Sequence, residues 1–207
     1  MRSFLLATAT AAILACGTSD ATSLPAGSGL LRLQLTDAPF PFDSVQSVDI
    51  FVVRVDAKLA ESDSAEAAAG ASDDSASSGG WTTVAKPNKS FDLLKLRGGT
   101  VADLGQAALP QGSYRGFRLI IDPTKSRVVL KGGFTLTGTS NPSVTFPSAS
   151  RSGIKINVAE GIAVGAASSS TMIIDFDLEN SFVMRGNSIS KNGLQFKPVL
   201  HATAKVS

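Results

Sequence analysis

The sequence predicts an all-β fold, an antiparallel β-sandwich with one or two short helical turns near residues 91–109. Three observations predict it. Apolar residues alternate with polar ones in short runs, the period of half-buried strands. β-branched residues crowd those runs. Gly, Pro, Asn and Ser punctuate them at short intervals, as the turns between many short strands require.

Taken in order, Leu31, Leu33 and Leu35 face one way and Arg32, Gln34 and Thr36 the other. Asp37-Ala38-Pro39 ends that strand, because Pro cannot donate to a ladder. Val45 to Val55 is a second, more apolar strand, and Trp81 to Val84 reads as its continuation beyond an acidic stretch. Phe91 to Leu96, carried on through Val101 to Leu109, is expected to supply the helical turns. Strands are then expected at Tyr114 to Ile121, Arg127 to Lys131, Phe134 to Leu136, Val144 to Phe146, Ile154 to Val158 and Thr171 to Leu178. The last, Gln195 to Val206, places Phe196, Pro198, Leu200, Ala202 and Ala204 on one face, with Pro198 marking an edge or a strand start. The nearest architectures are the immunoglobulin-like and transthyretin-like sandwiches.

Outside the strands the chain divides cleanly. Arg2 opens a short apolar run from Phe4 to Leu14 that closes on Ile13-Leu14-Ala15-Cys16, the layout of a cleavable export signal over residues 1–15. The run is too short to cross a bilayer, which takes roughly 20 apolar residues. Residues 16–29 are small and polar and read as a flexible tether. Residues 30–207 form one domain, interrupted at 60–80 by an acidic stretch with Glu61, Asp63, Glu66, Asp73 and Asp74 among Ala, Ser and Gly. Its only apolar residues are alanines, too little to offset the entropy of ordering it, so a disordered insertion is expected.

The segment at Cys16 resembles the bacterial lipobox, which implies that Cys16 is lipid-modified and becomes the first residue of the mature chain. Several acyl chains anchor stably where one binds only marginally. Gly17 follows, without the aspartate that retains lipoproteins at the inner membrane, so the outer membrane is favoured. Cys16 is the only cysteine, and the domain must be held together by its core rather than by disulfides. The formal net charge of +2, with no basic cluster, argues against nucleic acid as a partner.

Several landmarks recur in a fixed order: Leu35-Thr36-Asp37-Ala38-Pro39, Asp92-Leu93-Leu94, Leu109-Pro110-Gln111-Gly112-Ser113-Tyr114, Ser152-Gly153-Ile154-Lys155-Ile156, Ile174-Asp175-Phe176-Asp177 with Ser181, and Phe196-Lys197-Pro198-Val199. As a set they resemble the bacterial and archaeal family called domain of unknown function 4382, over about Gly29 to Ala202. The resemblance implies a sandwich-like domain in exported proteins and lipoproteins, and marks the stretch between Leu59 and Trp81 as an insertion in a loop of variable length. It carries over no catalytic residue.

The residues that could carry chemistry are few. Asp175, Asp177 and Glu179, two apart on an expected strand, would project three carboxylates from one face. They call for a calcium ion, for a cation such as Lys197 on a neighbouring strand, or for open solvent. Asp37 could join such a site if its turn lies nearby. His201, the only histidine, lies on the polar face of the last strand and reads as a surface residue. No Gly-x-Ser-x-Gly elbow is present to anchor a triad around it. Gly98-Gly99 and Gly132-Gly133 are turn glycines outside any phosphate-binding pattern. One Trp and one Tyr give little for a sugar-stacking platform.

These residues lead to a non-enzymatic binding, adhesion or structural module, with no catalytic residues and no cofactor other than a candidate calcium ion. Its expected partners are the membrane, through the lipidated cysteine, and a protein or glycan at the cell surface. The loops at Asp37 to Ser44 and Asn141 to Gly153 are the candidate recognition loops. A calcium-dependent module built on the acidic strand is the alternative, and a cell-surface hydrolase assembled from dispersed Asp, Glu, Ser and His the second.

Overall fold

The structure is a computed structural model and describes residues 24–37, 43–60, 80–146 and 152–206. The expected export signal, Cys16, most of the expected tether and the body of the expected acidic insertion lie outside the described residues. The strands are β1 (Ser28–Asp37), β2 (Val45–Leu59), β3 (Trp81–Ala85), β4 (Lys89–Asp92), β5 (Ala102–Pro110), β6 (Gly112–Ile121), β7 (Arg127–Leu130), β8 (Thr135–Leu136), β9 (Val144–Thr145), β10 (Ile154–Val164), β11 (Ser169–Phe176), β12 (Phe182–Met184), β13 (Leu194–Phe196) and β14 (Leu200–Val206). A 3-10 turn at Leu93–Leu96 and two single-turn helices, α1 (Leu178–Ser181) and α2 (Ile189–Asn192), complete the inventory.

The larger sheet is built around β2, rich in the β-branched Val and Ile that pleated backbone accommodates. One edge of β2 carries β7 along its first half and β6 along its second. The other edge carries β4 and then β3. β10 extends the sheet beyond β6, and β8 beyond β7. The smaller sheet runs β14-β11-β1-β5. Most pairings are antiparallel, as expected; β1 and β11 pair in parallel at its centre, as do β13 and β9 in a small third sheet.

Alternation places the core between the two main sheets. Leu31, Leu33 and Leu35 of β1 and Met172, Ile174 and Phe176 of β11 share one buried cluster with Val48, Ile50, Val52 and Val55 of β2 and Phe117, Leu119 and Ile121 of β6. Each such side chain contributes roughly 1.5–3 kcal/mol by leaving water. Phe196 closes one end, with Phe146, Phe176 and Phe182 at centroid distances of 5.1, 5.9 and 5.0 Å. The chain passes from β5 in one sheet to β6 in the other through the single residue Gln111. Tyr114 pins that crossing: its buried hydroxyl donates to the carbonyl of Pro110 at 3.0 Å. Immunoglobulin-type sandwiches use the same device at a corner between sheets.

Several expectations change in detail. Within residues 91–109 only Leu93–Leu96 is helical, capped by Asp92, whose side chain accepts from the Leu94 amide at 3.3 Å. The stretch from Val101 to Leu109, expected to be helical, forms β5 instead, because pairing along β1 overrides the helix preference of its Ala, Leu and Gln residues. Trp81 to Val84 does not continue β2 but folds back against it, with Lys58 opposite Trp81. Residues 61–79 therefore span the connection of a hairpin. The final strand is two strands, broken at Lys197-Pro198-Val199 where Pro cannot donate to a ladder. β1 begins at Ser28, inside the expected tether, and both Ser28 and Gly29 are buried. A Cβ on Gly29 would lie 2.2 Å from the carbonyl oxygen of Gly165, so only glycine lets these backbones approach.

Candidate functional site

The acidic end of β11 differs from its expected form. The strand stops at Phe176, two residues short of the expected Leu178. Asp175 remains on it, on the face turned away from the core, between Thr36 of β1 and His201 of β14. Asp177 has left the ladder and caps α1, accepting from the Asn180 amide at 3.1 Å and from Asn180 Nδ2 at 2.7 Å. Those bonds, with the nearby His201, hold the Asp177 carboxyl below the usual carboxylate range. Glu179 is exposed in the first turn of α1, where the positive helix end favours a carboxylate. Asp37 lies opposite Phe176 while Thr36 lies opposite Asp175, so alternation sends Asp37 to the core side and Asp175 to the other.

The structure thus brings Asp175 and Asp177 beside His201 and sends Asp37 to the opposite face of the sheet, while the exposed Glu179 contributes its backbone, not its carboxylate, to Asp177. His201 Nε2 stands 3.9 Å from Asp177 Oδ2 and is 66% exposed, a surface histidine as expected. Lys197, the expected counter-charge, sits in the break before β14 and makes no ion pair among the described residues; the side chain that faces Asp177 is His201 instead. No three His, Cys, Asp or Glu side chains among the described residues converge closely enough to share a metal ion. Ser181, near Asp177 in the chain, is buried and spends its hydroxyl on the backbone of Val199, accepting from its amide at 2.8 Å and donating to its carbonyl at 3.3 Å. That hydroxyl joins α1 to the start of β14 and is not presented to His201.

A second constellation went unread in the sequence. On the outer face of the larger sheet, Asp56 is fully buried and accepts from Arg118 Nε at 2.8 Å, Arg54 Nε at 3.0 Å and Thr83 Oγ1 at 2.8 Å. The Arg118 guanidinium, itself 2% exposed, lies 4.6 Å from the Trp81 ring centroid. Arg118 interrupts the run Phe117 to Ile121, and a cation inside such a run was the signal available. A carboxylate shared by two arginines under an indole fixes β2, β3 and β6 to one another.

The third feature is a chain of clefts along one rim. The first, about 350 Å³, is lined by Asp43, Gln46, Asp92, Lys95, Arg97 and Lys131 among others. The second, about 490 Å³, shares Asp43 and Lys131 and reaches Ser188 and Ser190 around α2. The third, about 540 Å³, shares Asp92 and Lys95 and reaches Asp49 and Lys89. The local fold holds these groups in place. Asp92 accepts from the Val48 and Leu94 amides and pairs with Lys95 at 3.5 Å. The Lys131 amide donates to Ser44 O, and Arg97 Nε donates to Leu94 O at 2.9 Å. Asp43 and Ser44 belong to the first expected recognition loop. Of the second, Asn141 to Phe146 and Ser152 to Gly153 are described, and Val144 to Phe146 border a separate cleft with no charged side chain among the described residues that line it.

An all-β sandwich with a charged rim and an engaged, capped acidic strand end defines a class of small scaffold rather than a reaction. The family match narrows it: residues 28–198 match the domain of unknown function (DUF4382), and the chain belongs to that family. No curated protein and no solved structure matches.

Proposed function

We propose that this protein is a lipid-anchored module of the cell envelope that binds a charged partner, a surface protein or glycan, through the rim between Asp43, Asp92, Lys95, Arg97 and Lys131. The observation that carries the reading is the continuity of the three clefts through shared residues. The rim is built from loops and a 3-10 turn on a rigid sandwich, the arrangement in which recognition residues commonly sit. The resemblance of Ile13-Leu14-Ala15-Cys16 to a lipobox supports attachment at Cys16, with the outer membrane favoured by Gly17.

Isolated envelope fragments carry both candidate partner classes and provide the test. The protein should co-sediment with them, more weakly as salt screens the rim charges. Reversing Lys95, Arg97 and Lys131 to Glu should weaken co-sedimentation at least tenfold while leaving the melting temperature in place. Equal binding by the two proteins would remove the rim from the account.

Calcium at the acidic strand end is the second reading, and one observation favours it. Asp175 Oδ1 is buried and accepts no hydrogen bond among the described residues. It ranks lower because both Asp177 oxygens are already engaged by Asn180 and Asp37 faces the other side of the sheet.

A further inference from the structure

We infer that the cleft between the turn at 122–126, the turn at 137–140 and β9 is a second binding site, shaped for a neutral hydroxyl-bearing ligand such as one unit of a glycan. Its volume is about 350 Å³, within the range of pockets that enclose small ligands, roughly 300–1,000 Å³. Among the described residues that line it none is charged, in contrast to the rim clefts. Pro123, Val144 and Phe146 form apolar wall, and Thr124, Thr137, Thr139 and Thr145 supply hydroxyls.

Both walls are fixed before any ligand arrives. Asp122 Oδ1 accepts from the Thr124 amide at 2.9 Å and from Thr124 Oγ1 at 2.6 Å, and Ser126 Oγ donates to Asp122 O at 2.7 Å. Across the cleft, Thr137 Oγ1 accepts from the Ser140 amide at 3.0 Å, and Ser140 Oγ donates to Pro142 O at 2.7 Å. The Val144 amide donates to Thr137 O at 2.9 Å. Phe146 is held against Phe196 at 5.1 Å. Walls held this way cost little ordering entropy on binding.

The hydroxyls are complementary to a group that both donates and accepts. A hydroxyl offers one proton and two lone pairs. Thr124 spends its proton on Asp122 and keeps lone pairs for a ligand donor. Thr145 accepts from Arg185 Nη1 at 3.4 Å and keeps its proton for a ligand acceptor. Arg185 and Asp122 stand behind Thr145 and Thr124, one of each sign, and neither is among the described lining residues. A carboxylate or ammonium ligand would therefore shed water for no counter-charge in the cleft wall itself, which is costly, whereas a sugar hydroxyl needs none.

Gly138 supplies a clean block. Its backbone is not in the left-handed region, and a Cβ there would meet Pro123 O at 3.9 Å and Val144 O at 4.0 Å, ordinary contact distances. Gly138→Leu therefore fills the cleft without straining the fold. The experiment is saturation-transfer NMR on the full chain in detergent micelles, with methyl glucoside and N-acetylglucosamine as neutral probes and gluconate and glucosamine as charged ones. At least one neutral probe should bind, tighter than both charged probes. Gly138→Leu should weaken it at least tenfold, and Thr145→Val severalfold, with circular dichroism and melting temperature unchanged in both. Absence of transfer to either neutral probe at the tens-of-millimolar concentrations that fill a millimolar site would overturn the inference. So would equal binding by parent and Gly138→Leu, or a preference for the charged probes. The rim-reversal protein should bind the neutral probe normally, which separates this site from the rim.

Discussion

Replacing Asp56 by Asn tests the buried arginine network most severely. The side chain keeps its size and one acceptor oxygen but loses its charge. Asp56 is fully buried and Arg118 2% exposed, so water cannot take over the guanidinium. Removing one partner of such a pair costs about 3–5 kcal/mol, because a buried cation is left uncompensated. Arg54, 22% exposed, adds a second cation whose partner is lost, but solvent screens that contact and its share is small. Against a total stability of about 5–15 kcal/mol for a domain, the substitution removes about a fifth or more. Urea denaturation of a chain carrying Cys16→Ser measures it: the midpoint should fall with the slope unchanged. Asp56→Leu combined with Arg118→Met should recover most of the loss, since apolar replacements of buried pairs are often neutral or better. A cost below about 1 kcal/mol for Asp56→Asn, the figure for an exposed pair, would refute the reasoning.

Other consequences follow from the same geometry. Tyr114→Phe removes the bond to Pro110 and should cost about 1 kcal/mol in urea melts. Burial raises the Tyr114 pKa, so its contribution is complete below the unfolded tyrosine value near pH ~10 and is lost as pH rises toward the folded one; the parent but not the Phe variant should show that alkaline loss. Asp177→Ala removes the cap of α1 and should cost about 1 kcal/mol. The lowered pKa of Asp177 means this contribution is present above the unfolded aspartate value and disappears as pH falls through the folded one, which acid melts of parent and Asp177→Asn will compare. Because Asn180 engages both Asp177 oxygens, excess calcium followed by chelator should leave the melting temperature in place; a rise of several degrees would move the calcium reading to the front. Gly29→Ala drives a methyl into Gly165 O and should cost more than about 2 kcal/mol, read from its thermal midpoint.

The strands at the heart of the sandwich were legible because one side of each meets the core and the other does not. β1 reads directly from Leu31, Leu33 and Leu35, and β2 from its β-branched run. β5 was not legible. A bulge at Gly105, opposite the step between Leu33 and Gln34, breaks its alternation and leaves Leu104 and Leu109 as its only buried apolar side chains. Periodicity is local, whereas the parallel pairing of β1 with β11 joins residues far apart in the chain and leaves no local mark. The end of β11 could have been found: Asp177 followed by Glu179 in a first turn is a helix-start pattern, yet the spacing Asp175-Asp177-Glu179 also fits a strand. Arg54 and Asp56 occupy positions that read as a solvated face; apart from the cation inside the run Phe117 to Ile121, it is the burial of Asp56 and Arg118 in the fold that distinguishes the network. The rim was partly visible as a loop at Asp43 and Ser44, but Lys95, Arg97 and Lys131 come from separate segments that only the fold assembles.

The central claim, attachment to the envelope through Cys16, is tested most directly by metabolic labelling with an alkyne-bearing palmitate, followed by membrane fractionation of parent and Cys16→Ala. The account predicts a labelled parent in the membrane fraction and an unlabelled variant released from it. An unlabelled parent, or a variant that stays with the membrane, would contradict it.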